Sequence, residues 1–386
     1  MIFIIRIQCI DLGFSKKTKR YSAMRILHVI NSLNVGGAEK LVVDLVLLLK
    51  QKCLDVEVLL LNGEDTSLKK ALVNQSVSVK SLGTNNNIYN PFLIIRLCSY
   101  MKKYDIIHVH LFPAQYWIAI AKIVTNSKVK LIYTEHSTIN RRRNITLFKW
   151  IDRFIYKRYI RIIAISYKAS ELLSIYLEKS TGISTIQNGV HIASYRDALQ
   201  YRKMEFLKIK ENSVLITMVA GFREAKDQDT LIRSILHLPN NYHLALVGDG
   251  IRKDLCEQLV KVLGLNERVH FLGLREDVPR ILKTSDIVVM SSYYEGLSLS
   301  SIEGMASGKP FFASDVNGLR EITEGVGVLF DVGNENDLAK KIQFLINRPN
   351  EYKKIVQKCQ NRAEEYDIKK TAENYIEMYN EVINIS

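Results

Sequence analysis

The amino-acid sequence predicts an α/β fold of two doubly wound domains, each with a parallel sheet covered by helices on both faces. Apolar, β-branched runs alternate with segments of helical periodicity along most of the chain, as expected for repeated strand–helix units. The chain has 386 residues, which exceeds one ordinary hydrophobic core, so two domains are expected. Glycine or polar residues follow several predicted strands, at the end of the sheet where such folds bind ligands.

The composition is that of an ordinary globular protein and excludes several classes. Hydrophobic residues make up 47% of the chain and charged residues 24%. No apolar stretch approaches the roughly 20 residues of a membrane-spanning helix. The five cysteines are scattered and form no C-x-x-C pair, which indicates a reducing cytosol and not a disulfide framework. Residues 1–23 lack a signal-peptide pattern, and we expect them to be an extension upstream of the fold.

The positive charge of the chain is concentrated in its first half. The formal net charge is +14 at pH 7. Residues 1–190 carry 28 lysines and arginines against 12 aspartates and glutamates, so the remainder of the chain is slightly negative. A basic face suits an anionic membrane surface or a phosphate-linked acceptor. Nucleic acid is the competing partner, but no recognition helix, zinc spacing or stacking motif accompanies the charge, so a membrane is favoured.

The first predicted strand, residues 25–31, leads into a turn that contains Gly36 and Gly37, and a helical pattern follows through Lys50. The spacing is not G-x-G-x-x-G, so the turn is not interpreted as a dinucleotide-binding fingerprint. Two adjacent glycines are also compatible with a plain strand-to-helix turn. Their position at the first strand–helix junction favours a place at the ligand-binding edge of the sheet.

Further strands are predicted at residues 56–61, 77–81, 106–110 and 129–134, with helices at 91–103 and 114–124. Two histidines, His110 and His136, lie at the carboxyl ends of the last two strands, where parallel sheets bind ligands. His110 either lines a ligand cleft or caps its strand. A lone histidine is usually structural, and three others are interpreted in this way: His28, His108 and His243.

Three consecutive arginines, Arg141, Arg142 and Arg143, open the most basic stretch of the sequence. In the segment that follows, residues 146–160, aromatic and basic side chains alternate at helical spacing. Such a helix can lie in a membrane interface, with its rings among the lipid headgroups. It can equally be an amphipathic helix whose aromatic residues pack on the sheet. The arginines are also suited to the phosphates of an acceptor.

The second predicted domain begins with a strand at residues 214–219 and contains the stretch YEGLSLSSIEGMASGKP, from Tyr294 to Pro310. Glu295 and Glu303 flank a small segment and the start of a predicted helix, residues 299–307. The first turn of a helix presents unpaired N–H groups to anions, and the side chain of Glu303 tilts back toward that turn. Two acids beside such a helix indicate a ligand with hydroxyls next to phosphates, as in a nucleotide-sugar.

With seven residues between its two glutamates, the sequence EGLSLSSIEGMASGKP resembles the signature of the family 4 retaining glycosyltransferases. That family has the GT-B fold, in which two Rossmann-like domains face a central cleft and the C-terminal helix crosses back to the first domain. The resemblance implies that Glu295 faces the donor sugar in catalysis and that Glu303 binds ribose hydroxyls. It also implies that the segment between them binds the donor: Gly296, Leu297, Ser298 and Leu299.

The resemblance extends from about residue 24 to the end of the chain and gives roles to the first domain. It implies that Gly36 and Gly37 approach the donor phosphates and sugar. It also implies that His136 contacts the donor sugar near the reacting centre. Four further residues are placed on the acceptor side of the site: His110, Arg141, Arg142 and Arg143.

In the second domain, the loop after the first strand resembles a segment in which family members carry an arginine and a lysine that clamp the donor diphosphate. Lys226 matches the lysine, whereas Gly221 stands at the arginine position. Arg223, two residues further on, is the candidate for supplying the missing charge. The alternative is that both cationic residues are solvated loop charges. Gly273 and Leu274, after a later strand, are implied to lie near the nucleotide base.

The segment Asn188-Gly189-Val190 is similar to the family's sequence just before the interdomain linker, and it sets the expected division of the chain. We expect an extension at residues 1–23, an acceptor domain at 24–192, a donor domain at 193–368 and a crossing helix at 369–386. Residues 335–386 are predicted to be helical throughout, with Arg348-Pro349 as the strongest turn signal.

The function implied is that of a retaining transferase that moves a hexose-type sugar from a nucleotide-sugar, with UDP the expected nucleotide, to a lipid-linked or saccharide acceptor. Surface polysaccharide assembly at the cytoplasmic face of the cell membrane is the expected setting. We expect no metal or other cofactor, since no Asp-x-Asp motif is identified in the sequence and Lys226 and a helix terminus can neutralise the leaving group. Two alternatives stay open: a GT-B nucleotide-sugar epimerase, and an inactive family member acting as a binding subunit, which the departure at Gly221 would suit.

Overall fold

The structure of the protein, a computed structural model, describes residues 24–34, 36–85, 87–136, 145–178, 182–296 and 298–385, with the side chains of residues 146 and 147 excepted. It divides into two compact units. The first contains residues up to Gln187 together with the C-terminal segment from Lys369, and the second contains Asn188–Ile368. The division falls a few residues before the expected boundary at residue 192.

The first unit is built around a parallel sheet of seven strands within the described residues. In chain order they are β1 (Arg25–Ile30), β2 (Asp55–Leu60), β3 (Ser78–Ser81), β4 (Ile106–His110), β5 (Lys130–Glu135), β6 (Arg161–Ala164) and β7 (Ile183–Thr185). Across the sheet they run β3-β2-β1-β4-β5-β6-β7. The winding therefore reverses between β1 and β4, and their adjacent carboxyl ends form the position where such sheets bind ligands.

Helices connect these strands and cover the sheet. They are α1 (Gly37–Gln51), α2 (Ser67–Asn74), α3 (Leu93–Cys98), α4 (Ala114–Thr125), α5 (Thr146–Tyr156) and α6 (Tyr167–Leu177). Within the described residues, no helix of the chain is both long enough and apolar enough to cross a membrane.

The second unit repeats the same architecture with six strands among the described residues. They are β8 (Val214–Val219), β9 (Tyr242–Val247), β10 (Val269–Gly273), β11 (Ile287–Met290), β12 (Phe311–Ser314) and β13 (Val328–Phe330). Their order across the parallel sheet is β10-β9-β8-β11-β12-β13, so the winding reverses between β8 and β11.

Two short helices precede the second sheet, and the others connect or follow its strands. The helices are α7 (Ile192–Arg196), α8 (Lys203–Leu207), α9 (Gln228–Ser234), α10 (Lys253–Val262), α11 (Val278–Thr284), α12 (Leu299–Ala306), α13 (Arg320–Thr323), α14 (Glu335–Ile346) and α15 (Pro349–Glu364). A short 3₁₀ helix, Ile235–His237, follows α9.

The last helix, α16 (Ile368–Asn384), packs on the first unit. Its Tyr375 and Tyr379 are fully buried there. The predicted helical region from residue 335 consists of three helices, α14, α15 and α16, and the first break falls at the predicted turn signal, Arg348-Pro349. The second break coincides with a hydrogen bond from the Val190 N–H to the Tyr366 carbonyl at 2.8 Å, a tertiary contact that local sequence does not signal.

The central strands of both sheets are buried on both faces, as expected for parallel sheets covered by helices. In β4, all five residues are buried, and two of them, His108 and His110, are histidines. A polar side chain in such a position is stable only if it is hydrogen-bonded and, in the absence of a charged partner, neutral. The first sheet therefore places titratable groups inside its core, next to the position where the winding reverses.

Candidate active site

The loops that follow β8 and β11 meet at the carboxyl edge of the second sheet. The Nζ atom of Lys226, after β8, donates a hydrogen bond to Oε2 of Glu295, after β11. Lys226 also forms an isolated antiparallel bridge with Ser292, and the Tyr293 N–H donates to the Ala225 carbonyl at 2.9 Å. The side chains of Lys226 and Glu295 are only 15% and 20% exposed. The structure thus brings two predicted site residues into one partly buried ion pair.

Arg252 fixes the backbone on which Lys226 stands. Its Nη1 donates to the Lys226 carbonyl at 3.1 Å, and its Nη2 donates to Asp229 at 2.7 Å. On the other side, the Asp227 carboxylate accepts from the Thr230 N–H at 3.2 Å and so caps α9. The position of the ammonium group is therefore held by the protein before any ligand arrives.

Asp227 and Asp229 form an Asp-x-Asp pair directly after Lys226, so the expectation that the chain lacks this motif is wrong. That spacing can hold a divalent metal, but both carboxylates here have protein partners. Asp227 is fully buried and, besides capping α9, accepts from the Tyr293 hydroxyl at 3.1 Å. Asp229 is paired with Arg252. Both aspartates therefore stabilise the loop that carries Lys226.

The backbone at Glu295 is approached closely by Gly318, which follows β12. Gly318 has a φ of +89°, and a Cβ atom placed on it would lie 2.3 Å from the Glu295 carbonyl oxygen and 2.6 Å from that of Gly296. No side chain can be accommodated there without moving one of the two loops. Gly318 is thus part of what positions Glu295.

Helix α12 begins beside Glu295. The hydroxyl of Ser298 accepts from the Ser301 N–H at 3.3 Å and caps the helix. Glu303, one turn into the helix, is only 7% exposed. Leu299 is partly buried against the core of the second unit. The predicted binding residue Leu297 lies outside the described residues.

The loop after β8 also carries Arg223, whose side chain lies beside Gly221. A Cβ atom added to Gly221 would lie 3.5 Å from Nε of Arg223 and 3.5 Å from the Asp249 carbonyl oxygen. Arg223 is exposed. The Arg223 side chain therefore passes close to the position at which a side chain of residue 221 would begin.

Gly273 and Leu274 lie at the carboxyl end of β10, on the same edge of the sheet. Gly273 has a φ of +63°, and its carbonyl accepts from the Gly248 N–H at 2.8 Å. Leu274 is largely exposed. The side chain of Leu274 and the backbone of this segment are thus accessible at the edge that carries Lys226 and Glu295.

In the first unit, the turn after β1 brings Gly36 next to a glutamate. A Cβ atom on Gly36 would lie 2.3 Å from Oε2 of Glu39, and space is open on that side of Gly37. Burial raises the pKa of the Glu39 carboxyl, and a hydrogen bond from its own backbone opposes this effect. Gly37 is the first residue of α1, so an open helix N-terminus follows β1.

His110 and His136 lie close together at the carboxyl ends of β4 and β5, as their positions in the sequence predict. Nδ1 of His110 and Nε2 of His136 are 3.0 Å apart. His28 and His108, for which the sequence predicts a structural role, belong to the same cluster. Nδ1 of His28 lies 3.1 Å from Nε2 of His110, and the rings of His108 and His110 are 4.2 Å apart.

Burial keeps these four histidines neutral at pH 7. It lowers the pKa of His28 to about 3 and that of His136 to about 4. Burial also lowers the pKa values of His108 and His110 far below the ordinary range, and the neighbouring histidines add to this effect. Within the described residues, ring nitrogens of three histidines lie within 4.8 Å of one another, a grouping that could also hold a metal ion: His28, His108 and His110.

The sequence contains a signal for this cluster that single-residue reasoning missed. His108 and His110 are two residues apart in a strand, so their side chains point to the same face of the sheet. The register of β1 with β4 places His28 directly beside His108. A pair of histidines spaced by two in a buried strand is therefore better interpreted as part of a cluster than as two separate core residues.

The aromatic segment forms α5 and the turn after it, and its rings divide between core and surface. Tyr156 and Tyr159 are buried, whereas Trp150 is 68% exposed and Phe154 is 50% exposed. The guanidinium of Arg158 lies 4.6 Å from the centre of the Phe154 ring. Tyr156 and Tyr159 thus fit the interpretation as an amphipathic helix whose aromatic residues pack on the sheet, whereas Trp150 and Phe154 face outward. Three predicted acceptor-side residues lie outside the described residues: Arg141, Arg142 and Arg143.

Two family models match most of the chain. Residues 35–194 match the model described as Glycosyltransferase Family 4, and residues 200–362 match the model described as Glycosyl transferases group 1. Among solved structures, the chain is similar to Anabaena Alr3699/HepE in complex with UDP and glucose, at a TM-score of 0.78 and 23% identity over 92% of this chain and 99% of that one. It is also similar to a glycosyltransferase of Rickettsia africae, at a TM-score of 0.80 and 22% identity over 94% of this chain and 99% of that one.

Several characterised proteins are similar in sequence. The UDP-Gal:alpha-D-GlcNAc-diphosphoundecaprenol alpha-1,3-galactosyltransferase of Escherichia coli is 29% identical over 231 residues, which cover 56% of this chain and 59% of that enzyme. The match thus spans little more than half of that relative. The N-acetyl-alpha-D-glucosaminyl L-malate synthase of Bacillus anthracis is 25% identical over 72% of this chain and 75% of the enzyme. The O-antigen biosynthesis glycosyltransferase WclY of Escherichia coli is 23% identical over 83% and 88%.

Proposed function

Because this chain is a glycosyltransferase of family 4 with the GT-B fold, we propose that it transfers a hexose-type sugar from a UDP-sugar to a lipid-linked or saccharide acceptor with retention of anomeric configuration. The observation that carries the proposal is the ion pair of Lys226 and Glu295 beside the start of α12, the helix that also carries Glu303. A cation, free helix N–H groups and two carboxylates are what a nucleoside diphosphate with attached hydroxyls requires.

Each group at this edge has a role in the proposed reaction. The diphosphate lies between Lys226 and the first turn of α12, and both stabilise the negative charge that develops as it leaves. Arg223 supplies a second cation. Glu303 accepts hydrogen bonds from the ribose hydroxyls, and Glu295 orients the donor sugar. In the absence of donor, Glu295 also holds the Lys226 ammonium in place, so little reorganisation is needed when the diphosphate binds.

The proposed transfer is a retaining displacement without a protein nucleophile. The bond between the anomeric carbon and the diphosphate oxygen breaks, and the acceptor oxygen attacks from the face that the diphosphate leaves. The acceptor's proton passes to an oxygen of the departing diphosphate. The reaction therefore needs fixed positive charge and exclusion of water, and it needs no carboxylate at the anomeric carbon.

The choice of donor and acceptor is supported by what similar proteins bind. HepE was crystallised with UDP and glucose, and the galactosyltransferase of Escherichia coli is named for a diphosphoundecaprenol acceptor. A lipid-linked acceptor requires the enzyme to work at a membrane. We therefore propose that the protein acts in surface polysaccharide assembly, peripherally on the inner face of the cell membrane. The basic first half of the chain would face the anionic lipids.

Release of nucleotide tests the proposal. Purified protein is incubated with single nucleotide-sugars, with and without undecaprenyl-diphosphate-linked saccharides, and the free nucleotide and the product are measured. We expect release of UDP from one UDP-sugar, with the α-configuration retained in the product. No release from any donor would contradict catalysis and favour a binding subunit, and an altered sugar without transfer would favour an epimerase.

A substitution in α12 tests the role of Glu303 within the same assay. Glu303→Ala should raise the KM for the donor by about 10- to 100-fold, since it removes hydrogen bonds to a buried carboxylate. Glu351→Ala removes an exposed glutamate from a helix of the same unit and should leave the KM unchanged. Equal effects of the two substitutions would show that Glu303 does not contact the donor.

A further inference from the structure

A cleft of about 290 Å³ lies between α5 and the end of α6 in the first unit, and we call it the α5 cleft. It is lined by five residues: Arg153, Tyr156, Lys157, Leu177 and Glu178. Two of them are cationic and one is acidic, and the other two contribute a ring and an aliphatic side chain. A third cation, Lys149, is ion-paired with the acid, Glu178. Three cations thus surround a single carboxylate.

Glu178 contacts two of these cations through one oxygen atom. Its Oε1 accepts a hydrogen bond from Nζ of Lys149 at 2.8 Å and is ion-paired with Nη2 of Arg153. Nε of Arg153 is buried and has no hydrogen-bond partner among the described residues. A guanidinium binds a phosphate or a carboxylate best through two parallel N–H donors, and this pairing leaves a donor unused. Glu178 therefore satisfies the cations of the cleft incompletely.

The position of Glu178 is unfavourable for the helix that it ends. Glu178 is the C-cap of α6 and has a φ of +50°, a left-handed conformation that favours glycine or asparagine. A carboxylate at this end of a helix also opposes the helix dipole. The side chain is 61% exposed, so its ion pairs contribute little to the stability of the fold. Another anion can therefore displace the carboxylate from the cations at small cost.

The surface around the cleft indicates which anion reaches it. Trp150 and Phe154 are exposed rings on α5, and a cation of the cleft follows each ring by three residues. Residues three or four apart lie on the same side of a helix, so the rings and the cations are neighbours. The Arg153 guanidinium lies 5.8 Å from the centre of the Trp150 ring. Rings that enter a membrane interface bring the neighbouring cations to the depth of the lipid headgroups.

We propose that the α5 cleft binds the phosphate group of an anionic membrane phospholipid, and that Glu178 occupies this position when no lipid is bound. The inference rests on the membrane location in the proposed function and not on the transfer of sugar. On binding, the lipid phosphate replaces Glu178 as the partner of Lys149 and Arg153, and the Glu178 carboxylate turns to water. This headgroup site adds to the general attraction between the basic half of the chain and anionic lipids.

Removing the charge of Glu178 tests this exchange. The full-length protein is sedimented with phosphatidylcholine vesicles that contain phosphatidylglycerol. Glu178→Gln keeps the size of the side chain and frees the cations, so vesicle binding should tighten about fivefold. Unchanged or weaker binding would overturn the proposal and leave Glu178 as part of a structural ion pair only.

Glu171→Gln is the matched control. Glu171 lies on the same helix, is 57% exposed and is paired with Lys168 at 2.8 Å. The substitution therefore removes the same charge from a similar ion pair outside the cleft. We expect it to tighten vesicle binding by less than about twofold, because salt screens a charge that does not contact the lipid. Equal tightening in the two variants would show that net charge alone matters and would contradict the proposal.

A double substitution shows whether the effect passes through Arg153. Arg153→Gln should weaken vesicle binding about fivefold. In this background, Glu178→Gln should tighten binding by less than about twofold, because the guanidinium that it would free is absent. Thermal unfolding checks the fold of each variant. Effects that simply add would show that the two residues act independently, and they would overturn the exchange.

Inorganic phosphate distinguishes a lipid site from a site for free phosphate. It replaces chloride in the vesicle assay at constant ionic strength, and it should weaken vesicle binding of Glu178→Gln more than chloride does. Equal weakening by the two salts would show that the cleft does not recognise phosphate. If Glu178→Gln bound inorganic phosphate more tightly than the wild type but vesicles no more tightly, the cleft would be a site for free phosphate and the lipid proposal would be wrong.

The vesicle assay contains no sugar, so its result is independent of nucleotide release. If the wild type releases UDP and binds vesicles while Glu178→Gln binds no more tightly, this inference fails and the proposed reaction stands. If the wild type does not bind vesicles with phosphatidylglycerol, the membrane location and this inference both fail. If no donor is turned over while Glu178→Gln shows the expected tightening, the transferase proposal fails and the headgroup site is supported.

Discussion

The two units share a strand order but carry opposite kinds of chemistry at the same edge of their sheets. Both sheets reverse their winding between the first and fourth strands, β1 and β4 in one and β8 and β11 in the other. At this edge, the second unit has the ion pair of Lys226 and Glu295. The first unit has four histidines that burial keeps neutral. The shared topology thus determines where functional groups lie, but it does not determine whether these groups are charged or neutral.

The position of each group along its strand explains the difference. Lys226 and Glu295 lie several residues beyond β8 and β11, on loops where their side chains keep partial contact with water. Two opposite charges are stable in such a place. His28 and His108 lie inside β1 and β4, where both faces of the sheet are covered. Burial there disfavours the charged form of a histidine, so hydrogen bonds replace ion pairs.

The largest effect is expected from removing the charge at the edge of the second unit. Lys226→Ala should lower kcat by about 100- to 1,000-fold, as expected when a group that stabilises a departing anion is lost. The measurement is UDP release under donor saturation, with thermal unfolding as a check of the fold. The control is Lys341→Ala, because Lys341 is ion-paired with Asp337 on α14 and lies outside the proposed site. Retained activity in Lys226→Ala would show that the charge of Lys226 is not needed for the reaction, and the proposed contrast between the two units would fail.

A second substitution tests whether the position of Glu295 depends on the close packing of its loop against Gly318. Gly318→Ala places a Cβ atom 2.3 Å from the Glu295 carbonyl oxygen, at a φ of +89°. We expect a loss of about 2–4 kcal/mol in the free energy of unfolding, together with reduced activity. Gly325→Ala is the control, since Gly325 has a φ of +75° and open space around it. It should cost only the conformational strain of about 1 kcal/mol.

Both variants are measured by urea unfolding and by UDP release. Equal losses of stability in Gly318→Ala and Gly325→Ala would show that the close approach to Glu295 contributes nothing beyond backbone strain. A larger loss in Gly318→Ala with unchanged activity would show that the loop of Glu295 is not part of the site.

The neutral edge of the first unit predicts a dependence of stability on pH. Burial lowers the folded-state pKa of His28 to about 3 and that of His136 to about 4, whereas the unfolded chain binds these protons near pH 6.5. The unfolded state therefore binds more protons below this pH. The stabilising contribution is complete above about pH 6.5 and is lost as the pH falls toward 4, by up to about 1.4 kcal/mol per pH unit for each histidine.

Urea unfolding between pH 7.5 and 5 checks this dependence. His28→Gln should make the fall in unfolding free energy with decreasing pH shallower, by about one proton's contribution of 1.4 kcal/mol per pH unit. A slope equal to that of the wild type would mean that His28 is already charged in the folded protein. The first unit would then carry charge inside its sheet, and the contrast between the two units would lose its neutral side.

The sequence predicted the edges of both sheets better than the contacts that operate there. Glycines and acids at strand ends, such as Glu295 beside a helix start, are local signals, and a strand followed by a helix limits where they can lie. The partnership of Lys226 with Glu295 joins two distant loops, and the sequence alone does not reveal it. The link between His108 and Tyr379 spans 271 residues, so it depends on where the last helix packs.

Local sequence patterns also gave wrong or incomplete predictions where buried and exposed residues of the same type follow one another in the same pattern. The alternation of aromatic and basic residues around α5 does not distinguish Tyr156, which is buried, from Trp150, which is exposed. The break before α16 falls where the expected crossing helix, 369–386, begins, and the hydrogen bond between Val190 and Tyr366 stabilises it. The departure of Gly221 from the family pattern could be seen in the sequence, but the placement of Arg223 beside it required the structure.

The smallest expected effect is on membrane binding. It can be tested with two exposed phenylalanines, one in each unit, that each lie beneath an arginine. Phe154 on α5 is 50% exposed beneath Arg158, and Phe344 on α14 is 56% exposed beneath Arg348. Only the first of these lies in the basic half of the chain, next to the exposed ring of Trp150. A membrane that attracts the first unit should therefore distinguish two residues whose local surroundings are nearly the same.

Sedimentation with vesicles that contain phosphatidylglycerol measures the difference. Phe154→Ala should weaken vesicle binding about fivefold, through the loss of one partly inserted ring, and Phe344→Ala should leave it unchanged. Binding of the wild type should decrease as salt is raised, because the basic half of the chain supplies the attraction. Equal binding of the two variants would show that the Phe154 ring does not insert into the membrane.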